Sequence, residues 1–207
     1  MSQYFEVHPT HPQQRLLSQA AEIVRDGGVI AYPTDSCYAL GCHIGDKDAM
    51  AKLRRIRGLD ERHHFTLMCR DLSELAAFAR TDNAQYRLLK KLTPGPYTFI
   101  LEGTRELPRR ILHPRRKTIG VRIPDHPIVQ GLMRELDEPL LSTTLILPEQ
   151  EGPIEDPQVI RRLLEHELDL IIDAGPCGAH MTTVVDLTGN AVEIVREGKG
   201  AIAPLAH

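Results

Sequence analysis

Short apolar runs alternate with amphipathic stretches along most of this chain, and that alternation restricts it to a sheet covered by helices. Residues 29–32, 65–69, 97–101, 118–123, 140–144 and 170–173 read as strands. Between them lie helix signals. Residues 12–25 open on Pro12, carry an apolar stripe (Leu16, Leu17, Ala20, Ile23, Val24) and stop at Gly27-Gly28. Asp46 caps a helix with Ala49, Met50, Leu53 and Ile56 on one face. Asp71-x-x-Glu74 resembles a capping box, and residues 83–92 form a further helix before Thr93-Pro94-Gly95-Pro96 breaks the chain. Asp125 caps a helix to about residue 135, and Asp156-Pro157 opens one to about 167. Residues 183–187 and 192–196 pair as a hairpin around Gly189-Asn190. The fold class is therefore α/β (α+β): one domain over residues 1–207, with a twisted sheet of mixed parallel and antiparallel strands and helices on its faces.

Several function classes are excluded or disfavoured. No run of eighteen apolar residues is present, so no membrane partner is expected. Residues 1–11 lack the basic-then-apolar order of a secretory leader, and the four cysteines form no CxxC pair. A cytoplasmic protein with reduced thiols is the expectation. There is no GxxxxGK[ST], GxSxG or HExxH. His63-His64 is a poor metal pair, because neighbours on an extended segment point apart; no metal site is expected.

Charge is segregated along the chain although the net charge is only −3. Residues 49–59 hold Lys52, Arg54, Arg55 and Arg57 with no carboxylate; residues 108–122 hold Arg109, Arg110, Arg115, Arg116, Lys117 and Arg122, again with none. Acidic residues gather from Glu149 to Asp169. Such segments are ordinarily solvated faces, but they can also present a local positive field to phosphates. Arg54, Arg55, Arg115, Arg116 and Lys117 are the residues expected to meet RNA. Three predicted strands end in small polar clusters: Thr34-Asp35-Ser36, Ser142-Thr143-Thr144, and Thr182-Thr183 with Asp186. Turn chemistry explains each one alone, whereas together they suggest a site beyond the strand ends. Arg122 and Arg196 lie on predicted strands, where an isolated cation is unusual unless it faces a cleft.

Residues 28–42, GVIAYPTDSCYALGC, resemble the YPTDT-x-YGLG signature of the YrdC/YciO-like family. Arg122-Ile123-Pro124-Asp125-His126-Pro127, Leu141-Ser142-Thr143-Thr144, Thr182-Thr183-Val184-Val185-Asp186 and Ile194-Val195-Arg196-Glu197-Gly198 are similar to its further elements, in family order. PTDS-x-YALGC, FTLMCRDLSEL and RKTIGVR place the resemblance nearest the YciO branch. The resemblance implies a basic concave cleft, with ATP or AMP and Mg2+ as cofactors. It implies tRNA or double-stranded RNA as partner, and a small-molecule substrate carrying a threonylcarbamoyl group. Thr34, Arg57, His63, Arg122, Ser142, Thr144, Thr182 and Arg196 are the implied substrate- and nucleotide-binding residues, with Arg57, Arg122 and Arg196 converging on one concavity walled by Thr34 and Thr182. The best-known family activity is synthesis of threonylcarbamoyl-AMP from threonine, bicarbonate and ATP, for threonylcarbamoyladenosine in tRNA.

Two positions depart from the synthase branch. Its K-x-R pair reads Arg57-Gly58-Leu59 here, and its S-x-N reads Thr144-Leu145-Ile146. A leucine cannot pair with phosphate and an isoleucine cannot hydrogen-bond; one lost charge-assisted contact costs about 1.5–3 kcal/mol. Three readings remain open: an enzyme that hydrolyses or removes the threonylcarbamoyl group, a threonylcarbamoyl-AMP synthase with substitute contacts from Arg54 or Arg62, and a module that holds structured RNA without chemistry.

Overall fold

The computed structural model describes residues 1–60, 63 and 65–205. Ten strands among them form one mixed sheet: β1 Gln3–Glu6, β2 Ile30–Tyr32, β3 Ala39–His43, β4 Thr66–Met68, β5 Tyr97–Glu102, β6 Thr118–Arg122, β7 Leu140–Thr144, β8 Leu170–Asp173, β9 Thr183–Asp186 and β10 Glu193–Arg196. Six helices accompany them: α1 Gln14–Arg25, α2 Lys47–Arg57, α3 Leu72–Phe78, α4 Asn83–Leu92, α5 Pro127–Leu136 and α6 Pro157–Leu164. The strand order is β1-β8-β2-β3-β7-β4-β6-β5-β9-β10. The β1/β8, β2/β8, β4/β6 and β5/β9 pairs are parallel and the remainder antiparallel.

Local chemistry explains the helix starts. The Asp46, Asp71, Asp82 and Asp156 side chains each accept a backbone N–H in the first turn of α2, α3, α4 and α6. Three expectations need correction. The cap of α5 is His126 rather than Asp125: the helix starts at Pro127, and the His126 side chain accepts the Ile128 N–H. α1 begins at Gln14, two residues after Pro12, and α6 stops at Leu164. β1 and β3 were not foreseen: β1 is a four-residue edge strand, and β3 is almost wholly buried, so neither shows a long polar alternation.

Period-two alternation divides the sheet into two faces. Leu67, Phe99, Leu101, Ile119, Val121, Leu141 and Val185 face one way, into a core shared with Leu53 and Ile56 of α2, Leu75 of α3, Leu89 of α4 and Ile160 of α6. On the other face a second core joins Ile30, Tyr32, Leu140, Leu170 and Ile172 to Leu17 and Val24 of α1 and Ile128 and Leu132 of α5. These two helices cover only part of that face. Over β4, β6, β5 and β9 it is left open, and the outward residues there are Thr66, Thr98, Ile100, Gly120, Arg122 and Val184.

β9 and β10 form the expected hairpin, with a register shift between Ile194 and Arg196. The resulting bulge aims both Val195 and Arg196 over the open face. Beyond it, Gly198 crosses so close to β9 that a Cβ there would lie 2.3 Å from the Met181 carbonyl oxygen and 2.5 Å from Thr182. Gly198→Ala is expected to push this crossing apart and cost about 1–3 kcal/mol of stability. Urea denaturation measures the loss, and an unchanged midpoint would show that the crossing has slack.

Candidate binding cleft

The open face holds a cavity of about 480 Å³. Its floor follows from strand register: Thr66 of β4 lies opposite Gly120 of β6 and Ser142 of β7, Gly120 lies opposite Ile100 of β5, and Met68 lies opposite Arg122. Gly120 leaves the floor low, since a Cβ there would sit 3.1 Å from Thr66 Oγ1 and 3.2 Å from Thr98 Cγ2. Arg57, His63, Arg122, Ser142, Thr144, Thr182 and Arg196 all border this cavity. Three guanidinium groups distant in sequence are thereby brought together.

Each arginine is held differently. Arg57 is the last residue of α2. Gly58 ends that helix in the left-handed region, with φ 62°, so the chain turns away and the Arg57 side chain stays over the cavity. Arg57 Nη1 donates to the Ile146 carbonyl, while its Nε is buried without a partner. Arg196 donates from Nε and Nη2 to the Thr182 carbonyl, at 3.2 and 3.0 Å, and Nη1 lies 3.5 Å from Met181 Sδ. Burial lowers the pKa of both groups; Cys37 opposes the effect at Arg196 and Arg122 adds to it. Among the described residues no carboxylate forms an ion pair with Arg57 or Arg196.

Arg122 is different. It is 5% exposed and pairs with Asp35 at 2.5 Å, a carboxylate that is buried with it. Asp35 Oδ2 also accepts the Asp125 N–H, and the Asp35 carbonyl accepts Lys199 Nζ. The Arg122 charge is thus compensated inside the protein, although its buried Nε has no partner.

The hydroxyls divide into committed and available groups. Thr34, expected on the wall of the concavity, is not among the residues lining the cavity. Its Oγ1 donates to the Cys37 carbonyl at 2.7 Å and accepts the N–H groups of Ser36 and Cys37, so it builds its own turn. Ser142 borders the cavity, but its proton goes to the Leu40 carbonyl at 2.9 Å while Tyr32 donates to it at 2.6 Å. Thr182 and Thr98 share a hydrogen bond of 2.8 Å. Thr144 has no side-chain partner among the described residues. His63 Nε2 lies 3.3 Å from Thr143 Oγ1, and its ring meets Phe65 edge-on at 5.9 Å. Arg62, named as a substitute contact, lies outside the described residues, as does His64. The cysteines are reduced; burial pushes the Cys37 and Cys177 thiols up, and neither lines the cavity.

Thr66, Thr98 and Gly120 were not anticipated at the cleft, whereas Thr143 belongs to one of the predicted strand-end clusters. The available signal was a hydroxyl or glycine at alternate positions of otherwise apolar strands, which marks a face that no helix covers.

The basic segments are less bare in three dimensions than in sequence. Arg55 pairs with Glu167 at 2.7 Å and Lys52 with Asp169 at 2.8 Å, so the acidic stretch before β8 folds back onto α2. Arg54 donates to the Asp60 carbonyl and stacks 4.6 Å above the Phe65 ring. Arg115, Arg116 and Lys117 are exposed in the loop before β6, with Arg116 reaching Asp186 at 3.8 Å. Among the described residues no helix is long and apolar enough to cross a membrane, and no group of three or more His, Cys, Asp or Glu is arranged to hold a metal ion.

The Sua5–YciO–YrdC family, described as Telomere recombination, matches residues 22–198. YciO of Escherichia coli (strain K12) is 57% identical over 204 residues, 99% of each chain. The crystal structure of E. coli YciO superposes with a TM-score of 0.96 at 56% identity, over 99% of this chain and 100% of that one. Threonylcarbamoyl-AMP synthase of Psychromonas ingrahamii is 31% identical over 180 residues, 84% of this chain and 92% of its own. P. abyssi Sua5 complexed with L-threonine shares the fold, with a TM-score of 0.86 at 23% identity, over 94% of this chain and 57% of that one. The ordered motifs, the open-faced mixed sheet and these matches lead to one conclusion: the chain belongs to the Sua5–YciO–YrdC family.

Proposed function

We propose that the cleft binds a threonylcarbamoyl ligand, joined to AMP or to the adenosine of a tRNA, and hydrolyses the bond at its carbamoyl carbon. The observation that carries this reading is the pair of half-buried guanidinium groups, Arg57 and Arg196, that no carboxylate neutralises among the described residues. Desolvated cations without a counter-charge are costly, and an anionic ligand offsets that cost. The threonyl carboxylate and a phosphate are anions of the required kind, and Thr144 and Thr182 supply hydroxyls beside them. Relatives named threonylcarbamoyl-AMP synthase connect the fold to this chemical group.

Hydrolysis is favoured over synthesis by two side chains. Leu59 packs against the core where the synthase branch has its second cation. Ile146 lines the cavity where that branch has an amide, and its carbonyl occupies one Arg57 nitrogen. ATP would therefore meet fewer charge-assisted contacts. The described lining also has no carboxylate, so Mg2+ would be held through the nucleotide's phosphates rather than by the protein. Synthesis is the second reading, favoured by the 31% identity to a synthase over most of the chain.

Purified protein incubated with threonylcarbamoyl-AMP and with threonylcarbamoylated tRNA, without ATP, should release threonine, followed by mass spectrometry of the nucleosides and nucleotides. Robust formation of the AMP conjugate from ATP, threonine and bicarbonate, with no release, would overturn the hydrolytic reading. Arg57→Ala and Arg196→Ala should each weaken ligand affinity about tenfold to a hundredfold, the equivalent of one charge-assisted hydrogen bond. Calorimetric titration reads this directly, and unchanged affinity in both variants would remove the anion-site argument.

The exposed Arg115, Arg116 and Lys117 are the residues proposed to contact RNA phosphates. Charge reversal at these three should weaken tRNA binding and flatten its dependence on salt. Filter binding across a salt series tests this, and binding that is independent of salt would remove the RNA contact.

A further inference from the structure

Hydrolysis needs a group that takes a proton from water, and the cleft offers few. Among the described residues lining the cavity there is no Asp, Glu, Lys, Cys or Tyr. The guanidinium groups of Arg57, Arg122 and Arg196 cannot be deprotonated in a protein. Ser142 has committed its proton to the Leu40 carbonyl, and the hydroxyls of Thr98 and Thr182 are bonded to each other. Asp35 is buried against Arg122 and does not line the cavity. His63 is the one remaining side chain of the described lining with proton chemistry near neutral pH.

Resting on the hydrolytic reading above, we propose that His63 is the general base of this cleft. Its ring is positioned from two directions: Thr143 Oγ1 lies 3.3 Å from Nε2, and the buried Phe65 ring meets it edge-on at an interplanar angle of 82°. Its backbone N–H donates to the Asp60 carbonyl at 3.3 Å. Among the described residues, the charged groups that share its cavity are Arg57 from α2, Arg122 from β6 and Arg196 from β10, and Arg54 stacks on Phe65.

In the step assigned to it, His63 accepts a proton from water as the water oxygen bonds to the carbamoyl carbon. The bond from that carbon to the leaving atom then breaks, and its electron pair departs with that atom. For the AMP conjugate the leaving atom is a phosphate oxygen, which needs no proton. For modified adenosine it is N6, which takes the proton back from His63. The other product is the carbamate of threonine, which loses carbon dioxide to give threonine. Arg57 and Arg196 are placed to stabilise the negative charge that develops during attack.

The test is single-turnover release of threonine from threonylcarbamoyl-AMP and from threonylcarbamoylated tRNA, in parallel, across pH 5–9. With the unmodified protein the rate should fall on the acid side along a single limb, as one group takes up a proton. His63→Gln should lower the rate about 10²–10⁴-fold, abolish that acid limb and leave ligand affinity within about threefold. Added imidazole should restore part of the rate to His63→Ala. A His63→Gln rate within threefold of the unmodified protein, or an acid limb that persists in it, overturns the assignment while leaving the hydrolytic reading intact. Should His63→Gln fail to fold, absence of an acid limb in the unmodified protein overturns it equally. No release by the unmodified protein from either ligand overturns both the reading and the base.

Discussion

The buried pair of Arg122 and Asp35 organises the cleft. It joins β6 to the turn after β2, two elements that β3, β7 and β4 separate in the sheet. Asp35 also accepts the Asp125 N–H ahead of α5, and its carbonyl accepts Lys199 from the segment after β10. One aspartate therefore ties together four parts of the chain that surround the cavity. Removing one member of a buried ion pair strands the other charge, so the arrangement is held by a penalty rather than by a large net attraction.

That constraint sorts the three arginines into two roles. Arg122 has an internal counter-ion and shapes the wall. Arg57 and Arg196 are anchored through backbone carbonyls, which orient a guanidinium but bring it no counter-charge, and among the described residues no carboxylate pairs with either. The half-buried position of both makes the empty cleft electrostatically poor and an anion-filled one favourable. The exposed face of α2 behaves in the opposite way. There Arg55 and Lys52 find Glu167 and Asp169, pairs at the surface that contribute little to stability but cancel much of the local field.

The fold carries the cavity, and side chains decide what it can do. Here the cavity is lined by hydroxyls and a glycine, two of its arginines have no carboxylate partner among the described residues, and apolar side chains stand at Leu59 and Ile146.

Much of the fold was written in local sequence, because its signals act over a few residues. Asp46, Asp82 and Asp156 cap helices through their own first turns, and Leu140–Thr144 and Leu170–Asp173 declare strands through β-branched and apolar runs. The family resemblance also implied that Arg57, Arg122 and Arg196 converge on one concavity, and all three line the cavity. The sequence could not say that Thr34 would spend its hydroxyl on its own turn, that Ser142 would give its proton to Leu40, or that Asp35 would neutralise Arg122. Nor could it show that the acidic stretch before β8 would fold onto α2. These depend on which groups meet across more than eighty residues of chain, or on which way a buried side chain turns. Strand register and the incomplete cover of the sheet by α1 and α5 settle both, and neither is encoded in any local pattern. Local sequence determined the elements and the chemistry available to them; the tertiary structure decided which charges were left unpaired, since pairing depends on distance in space and not along the chain.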